Sequence, residues 1–360
     1  MKIDARSNRL ALGALIVLAV AVVFAATQCS GDSSSKNRAD SAPSPSSQAA
    51  AQNPDAGAQK PSAQESRAQE PGERQNLERV PDEEDRGFVL GGFKTPESVL
   101  HDMKYNTYLV SNINGSPTDH DDNGFISRVS PEGEMVALAW IDGGAPGVRL
   151  NAPKGSAVRA EQFFVADIDT IRIFNRATGA PEGAIGIPGA EFLNDLVAAT
   201  DGTLYVSDTN TGKVHRIAPD RKISVLIEGS AIGKPNGLAL RNDTLWVARM
   251  DAPRIEAVTV NDGRVVKEVE VPEAQLDGLV ILRSGAMLVS SWAGQAIYRV
   301  SRTEAVETVF SNLRAPADIG FDIALHTVLI PLFQDDRIES RPLPRKAARG
   351  GGGRRQGGAR

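Results

Sequence analysis

Residues 192–229 read FLNDLVAATDGTLYVSDTNTGKVHRIAPDRKISVLIEG. Short runs of Val, Ile, Leu and Tyr alternate here with turns of Asp, Gly, Asn and Pro, the pattern of consecutive antiparallel strands. The same phrase recurs as TPESVLHD…TYLVSNI, APKGSAVRA…FFVADI, KPNGLALR…TLWVARM, QLDGLVILR…MLVSSW and APADIGFD…TVLIPL. One residue in each opening aligns with Asn194: Glu97, Lys154, Asn236, Asp277 and Ala317. In chain order the intervals are 57, 40, 42, 41 and 40 residues.

Such a period marks a repeat architecture, and about four strands per unit is the size of a propeller blade. The expected fold is all-β, a six-bladed β-propeller of four-stranded blades over residues 84–344. The long first interval comes from a polar insertion, Asn112–Gly124, between the second and third strands of blade 1. The sixth repeat runs out after three strands near Arg337–Leu343. The segment RGFVLGGF at 86–93 is therefore expected to pair with it and close the ring, which removes an exposed sheet edge.

Outside the repeat the composition changes. Residues 1–29 carry Lys2, Arg6 and Arg9, and then 18 uncharged residues from Leu10 to Thr27. This is the pattern of an export signal or a membrane anchor. Cys29 follows at once and is the only cysteine, so no disulfide within the chain is possible. Its place resembles the lipidated cysteine of bacterial lipoproteins, although Gln28 precedes it where a small residue is usual. Lipidation, an uncleaved anchor and cleaved secretion all remain open, and all put the propeller outside the cytoplasm. Residues 30–83 are rich in Ser, Pro, Ala and Gln and read as a disordered tether. Residues 345–360 form an Arg/Gly-rich tail. With 40 basic and 45 acidic residues, nucleic acid is not the expected partner of the folded part, and a monomer is expected.

In a propeller the opening motifs enter the innermost strands, so Glu97, Asn194, Asn236 and Asp277 are expected to converge on the central channel. Two carboxylates and two amide carbonyls suit a hard dication such as Ca²⁺. Lys154 belongs to the same ring. Its ammonium could instead bridge Glu97 and Asp277 and leave a metal-free, ion-paired core.

These phrases resemble the SMP-30/gluconolactonase/LRE-like family, with its diisopropylfluorophosphatase-like calcium-dependent hydrolases. PESVLHD, FLNDLVAATDGTLYVSDT, KPNGLAL and LDGLVI carry the likeness across residues 90–342. The resemblance implies one catalytic Ca²⁺ held by Glu97, Asn194, Asn236 and Asp277. It implies a hydrolase of lactones or organophosphate-like esters, with Asp277 as general base or nucleophile. Gluconolactonase-like members carry an arginine two residues before the blade 3 asparagine, where this chain has Phe192, so a sugar lactone is not supported.

Further candidates surround this ring. Asp195 and Asp318 each follow an opening residue, either orienting the ligands from behind or capping turns. Asn112, Asp167, Asp208, Arg249, Trp292 and Phe333 end or follow the second strands and are candidate substrate contacts at the mouth. His120, in the blade 1 insertion, is a candidate proton shuttle. Asp119, Asp121 and Asn123 before Gly124 match the first half of a calcium loop, but its last ligand position holds Ser130. A non-catalytic, NHL-type propeller that binds an envelope protein or glycan is the alternative function.

Overall fold

The computed structural model describes residues 87–344. The expectations for residues 1–86 (the signal or anchor, Cys29 and the tether) and for the 345–360 tail lie outside them. Among the described residues no helix is long and apolar enough to cross a membrane.

Six antiparallel four-stranded sheets form the fold. Blade 1 runs from β2 (Pro96–Asp102) through β3 (Thr107–Asn112) and β4 (Phe125–Val129) to β5 (Met135–Asp142). Blades 2 to 5 repeat this order, with innermost strands β6 (Pro153–Arg159), β10 (Leu193–Ala198), β14 (Pro235–Arg241) and β18 (Leu276–Ile281). Blade 6 has β22 (Gly320–Asp322), β23 (Thr327–Leu332) and β24 (Arg337–Pro342). Its fourth strand is β1 (Val89–Gly91), from the opposite end of the repeat.

Burial follows the position of each strand within its blade. The second strand β3 is buried at every residue, whereas the outermost β5 alternates toward solvent. The first kind centres on an apolar run such as Tyr108–Val110, and the second alternates. Apolar clusters fill the wedges between blades, as where Leu196, Val206 and Ile217 of blade 3 meet Phe164 and Ile173 of blade 2.

The ring closes at two depths. On the outside, Val89 pairs with Glu339 and Gly91 with Arg337. Near the axis, Ser98 of blade 1 forms a parallel bridge with Asp318 of blade 6. There Val99 donates its N–H to Asp318 O at 3.2 Å, and Asp318 donates its own to Glu97 O at 2.9 Å. Phe93, which links the two levels, is fully buried with Val99, Tyr108 and Ile338, and its N–H donates to Asp336 O.

The innermost strands bulge at the opening motif. In blade 3, Leu193 pairs with Asp208 but Leu196 pairs with Val206, so three steps on one strand face two on the other. The same slip occurs in blades 2, 4 and 5, and blade 1 sets two steps against one. A bulge of this kind re-aims side chains, and here it turns neighbours such as Asn194 and Asp195 toward the axis together. Two glycines show how tight the packing is. A Cβ on Gly237 would overlap Asp277 O of the next blade, and one on Gly278 would overlap Ile319 N.

The closure can be tested at Phe93. Phe93→Ala should cost about 3–5 kcal/mol of stability in denaturant unfolding. A loss below about 1 kcal/mol would show that this junction does not hold the ring.

Candidate functional site

The bulges bring Glu97, Lys154, Asn194, Asn236 and Asp277 into one buried ring, each at most 5% exposed. Its polar atoms are unevenly satisfied. Asn194 donates to Thr209 Oγ1 at 3.2 Å, and Thr209 donates in turn to Pro235 O at 2.7 Å. Asn236 donates to Leu276 O at 3.3 Å. By contrast, Glu97 Oε2, Asn236 Oδ1 and Asp277 Oδ1 are buried without a hydrogen-bond partner. Three of the four expected ligands thus hold an orphaned oxygen. A buried polar atom left this way costs about 1–3 kcal/mol.

Burial pushes the Glu97 carboxyl well above its ordinary range, and Asp277, Asp318 and Asp195 push it further, against a smaller pull from Lys154. Asp277 is raised by burial and by Asp318. The Trp292 indole and the Asn236 amide lower it in part. Neither closes on Asp277 Oδ1, and Trp292 Nε1 also lacks a partner.

Lys154 does not bridge the carboxylates. Its Nζ donates to Pro117 O in the blade 1 insertion and to Ala152 O, both at 3.0 Å, and lies 4.5 Å from the centre of the Phe192 ring. Burial lowers its pKa to about 8, opposed by Glu97 and Asp167. The ammonium therefore ties the inserted loop to the channel and leaves the orphaned oxygens unpaired.

Asp195 and Asp318 lie one residue beyond the ring. Asp195 accepts the N–H of Leu238 in the next blade and that of Leu196, both at 2.6 Å. It therefore pins blade 3 to blade 4. Asp318 accepts from Ser98 Oγ at 2.7 Å and pins blade 6 to blade 1. Burial raises both carboxyls, Asp318 to about 7.

The residues that end the second strands spend their polar atoms on entry loops. Asn112 accepts from Lys94 N–H, Asp167 from Asn151 and Ala152, and Asp208 from Glu191 and Phe192. Arg249 pairs with Asp251 and Glu256. His120 is exposed in the insertion, as are Asp119 and Asp121.

The next residue in each blade sits higher on the channel wall. These are Ile113, Ile168, Thr209, Met250, Trp292 and Phe333. Their shared register shows in the backbone: the N–H groups of Ile113, Thr209, Met250, Trp292 and Phe333 each donate to the residue two before the ring position of their own blade. Ile113, Ala152, Ile168 and Phe333 pack together across blades 6, 1 and 2, and Trp292 lies 5.1 Å from Phe333. Trp292 and Phe333 are among the mouth positions expected from sequence, whereas in blades 1 to 4 the expected residues lie one position before the wall position. The signal was there, because this position is apolar in five of the six repeats.

Among the described residues no group of three or more His, Cys, Asp or Glu forms a metal centre. The ring offers mixed donors instead, two carboxylates and two amide oxygens, a set whose chemistry suits a hard cation. The orphaned oxygens on Glu97, Asn236 and Asp277 are the feature that such an ion would satisfy.

The fold is shared with solved propellers. A streptogramin B lyase matches with a TM-score of 0.53 at 13% identity, over 71% of this chain and 96% of that one. A gluconolactonase from Xanthomonas campestris matches with a TM-score of 0.57 at 20% identity, over 72% of this chain and 90% of that one. At these identities the likeness is one of fold. No protein-family model and no curated protein matches the chain.

Asp318 allows a test of the buried acid cluster. The folded protein holds this proton more tightly than the unfolded chain does, so the side chain's contribution is complete below the ordinary carboxylate range. It is lost as pH rises toward about 7. In metal-free protein, Asp318→Asn should raise the melting temperature near neutral and alkaline pH by on the order of 2–4 °C and change it little in acid. A gain equally large in acid would contradict this electrostatic origin.

Proposed function

We propose that the propeller is a Ca²⁺-dependent hydrolase of lactones or related esters, with its site at the centre of the channel. One observation carries this reading: Glu97, Asn236 and Asp277 each keep a buried, unpartnered oxygen, while the Lys154 ammonium is spent on backbone carbonyls. Two carboxylates of raised pKa side by side are unfavourable alone, and a dication would hold both ionised. The gluconolactonase neighbour supports the same reaction class by analogy of fold.

Glu97, Asn194, Asn236 and Asp277 would hold the ion, which when bound would supply a Lewis acid for a carbonyl or phosphoryl oxygen. Asp277 is the candidate base, its carboxylate taking the proton from an attacking water. The Trp292 N–H beside it orients either that carboxylate or the substrate. Thr209 fixes the Asn194 amide, and Asp195 and Asp318 fix the strands that carry the ring. The metal-free, ion-paired alternative needs Lys154 against the carboxylates, whereas its ammonium is spent on Pro117 O and Ala152 O. We also propose that the propeller works outside the cytoplasm, from the character of residues 1–29.

Thermal melting with Ca²⁺ and with chelator tests this. Saturation to about a hundred times Kd should stabilise the protein by about 2.7 kcal/mol. Glu97→Gln and Asp277→Asn should each remove most of that shift and melt no lower than the parent in chelator, since each removes a buried charge. Lactone turnover should vanish in Asp277→Asn. No calcium shift in the parent protein would end this reading.

A further inference from the structure

We propose that the channel mouth above the ring is an apolar subsite, so that the substrate is a lactone or ester bearing an alkyl or aryl group rather than a polyhydroxylated sugar lactone. The inference rests on the hydrolase reading and names its substrate class.

The wall directly above the ring is apolar in five blades. Trp292 and Phe333 lie against each other and, with Phe192, are only half-buried, so each keeps some accessible surface. Ile113, Ala152 and Ile168 are buried and back Phe333 from blades 1 and 2. Small-molecule sites are commonly mostly apolar, with a few placed polar groups.

The polar groups nearby are already committed. The Lys154 ammonium donates to two backbone carbonyls and faces the Phe192 ring. The Thr209 hydroxyl donates to Pro235 O and accepts from Asn194. Asp167 and Asp208 hold backbone N–H groups. A row of sugar hydroxyls would lose water here and find few partners, which sites discriminate against strongly. The Trp292 N–H lies buried beside Asp277, whose carboxyl pKa it lowers without closing a full hydrogen bond. It can serve a single oxygen, such as the ring or carbonyl oxygen of a lactone.

The test uses the full chain with two readouts. In Ca²⁺, kcat/KM is compared across δ-lactones of increasing alkyl length and glucono-δ-lactone. A gain of roughly threefold to fourfold per added methylene is expected until the subsite is full, with the sugar lactone poorest. Phe333→Ala should lower the ratio of long-chain to short-chain kcat/KM about tenfold through KM, while Phe333→Leu retains most of it. Independently of turnover, 2-alkylcyclopentanones should change the indole fluorescence of the parent but not of Trp292→Phe, both shown folded by melting.

A flat chain-length series with glucono-δ-lactone preferred would overturn the proposal, as would the absence of any fluorescence response. If alkylcyclopentanone binds while no lactone is turned over, the apolar subsite stands and the hydrolase reading alone falls.

Discussion

Six strands crowd around one axis, and everything at the centre of this protein follows from that crowding. Adjacent innermost strands approach so closely that Gly237 and Gly278 leave no room for a Cβ against the neighbouring backbone. Five of the six innermost strands bulge at the opening motif, as between Leu193 and Leu196 in blade 3. Ring closure through the Ser98–Asp318 bridge and the β1–β24 pair completes the circle. Without closure the acid ring would open to water and lose its character.

The second consequence is electrostatic. Glu97, Asp195, Asp277 and Asp318 share a poorly solvated centre, and each carboxyl is pushed upward. Two of them repay their burial by pinning neighbouring blades. Asp195 holds the Leu238 N–H, and Asp318 holds the Ser98 hydroxyl. Glu97 and Asp277 have no such task and keep unpartnered oxygens. A folded protein rarely leaves buried oxygens unsatisfied without a use for them. Lys154, the one cation of the ring, is drawn toward the inserted loop by Pro117 O rather than into the gap.

Much of this was legible in the sequence. The fold followed from the recurring opening phrase, and the closure from a lone strand pattern at 86–93 before a sixth repeat of only three strands. A fixed period puts Glu97, Asn194, Asn236 and Asp277 at equivalent positions of their blades, so their grouping could be read from spacing alone. The partner of Lys154 was not legible, since Pro117 lies in an insertion that breaks the period. The apolar wall was missed in blades 1 to 4 by one residue. Asn112, Asp167, Asp208 and Arg249 look chemical in a sequence, yet they hold entry loops, while Ile113 and Ile168 look like ordinary core. A one-residue step reverses the face of a strand, and composition alone does not say which face meets the channel.

The central claim is that the four-residue ring holds one hard cation beside Trp292. Terbium, a luminescent ion with calcium-like oxygen preference, tests it most directly when excited through the protein's indoles. The account predicts luminescence that saturates at one ion per chain, is displaced by Ca²⁺, and is lost in both Asp277→Asn and Trp292→Phe. Sensitised luminescence that persists in both variants, or none at all in the folded parent protein, would contradict it.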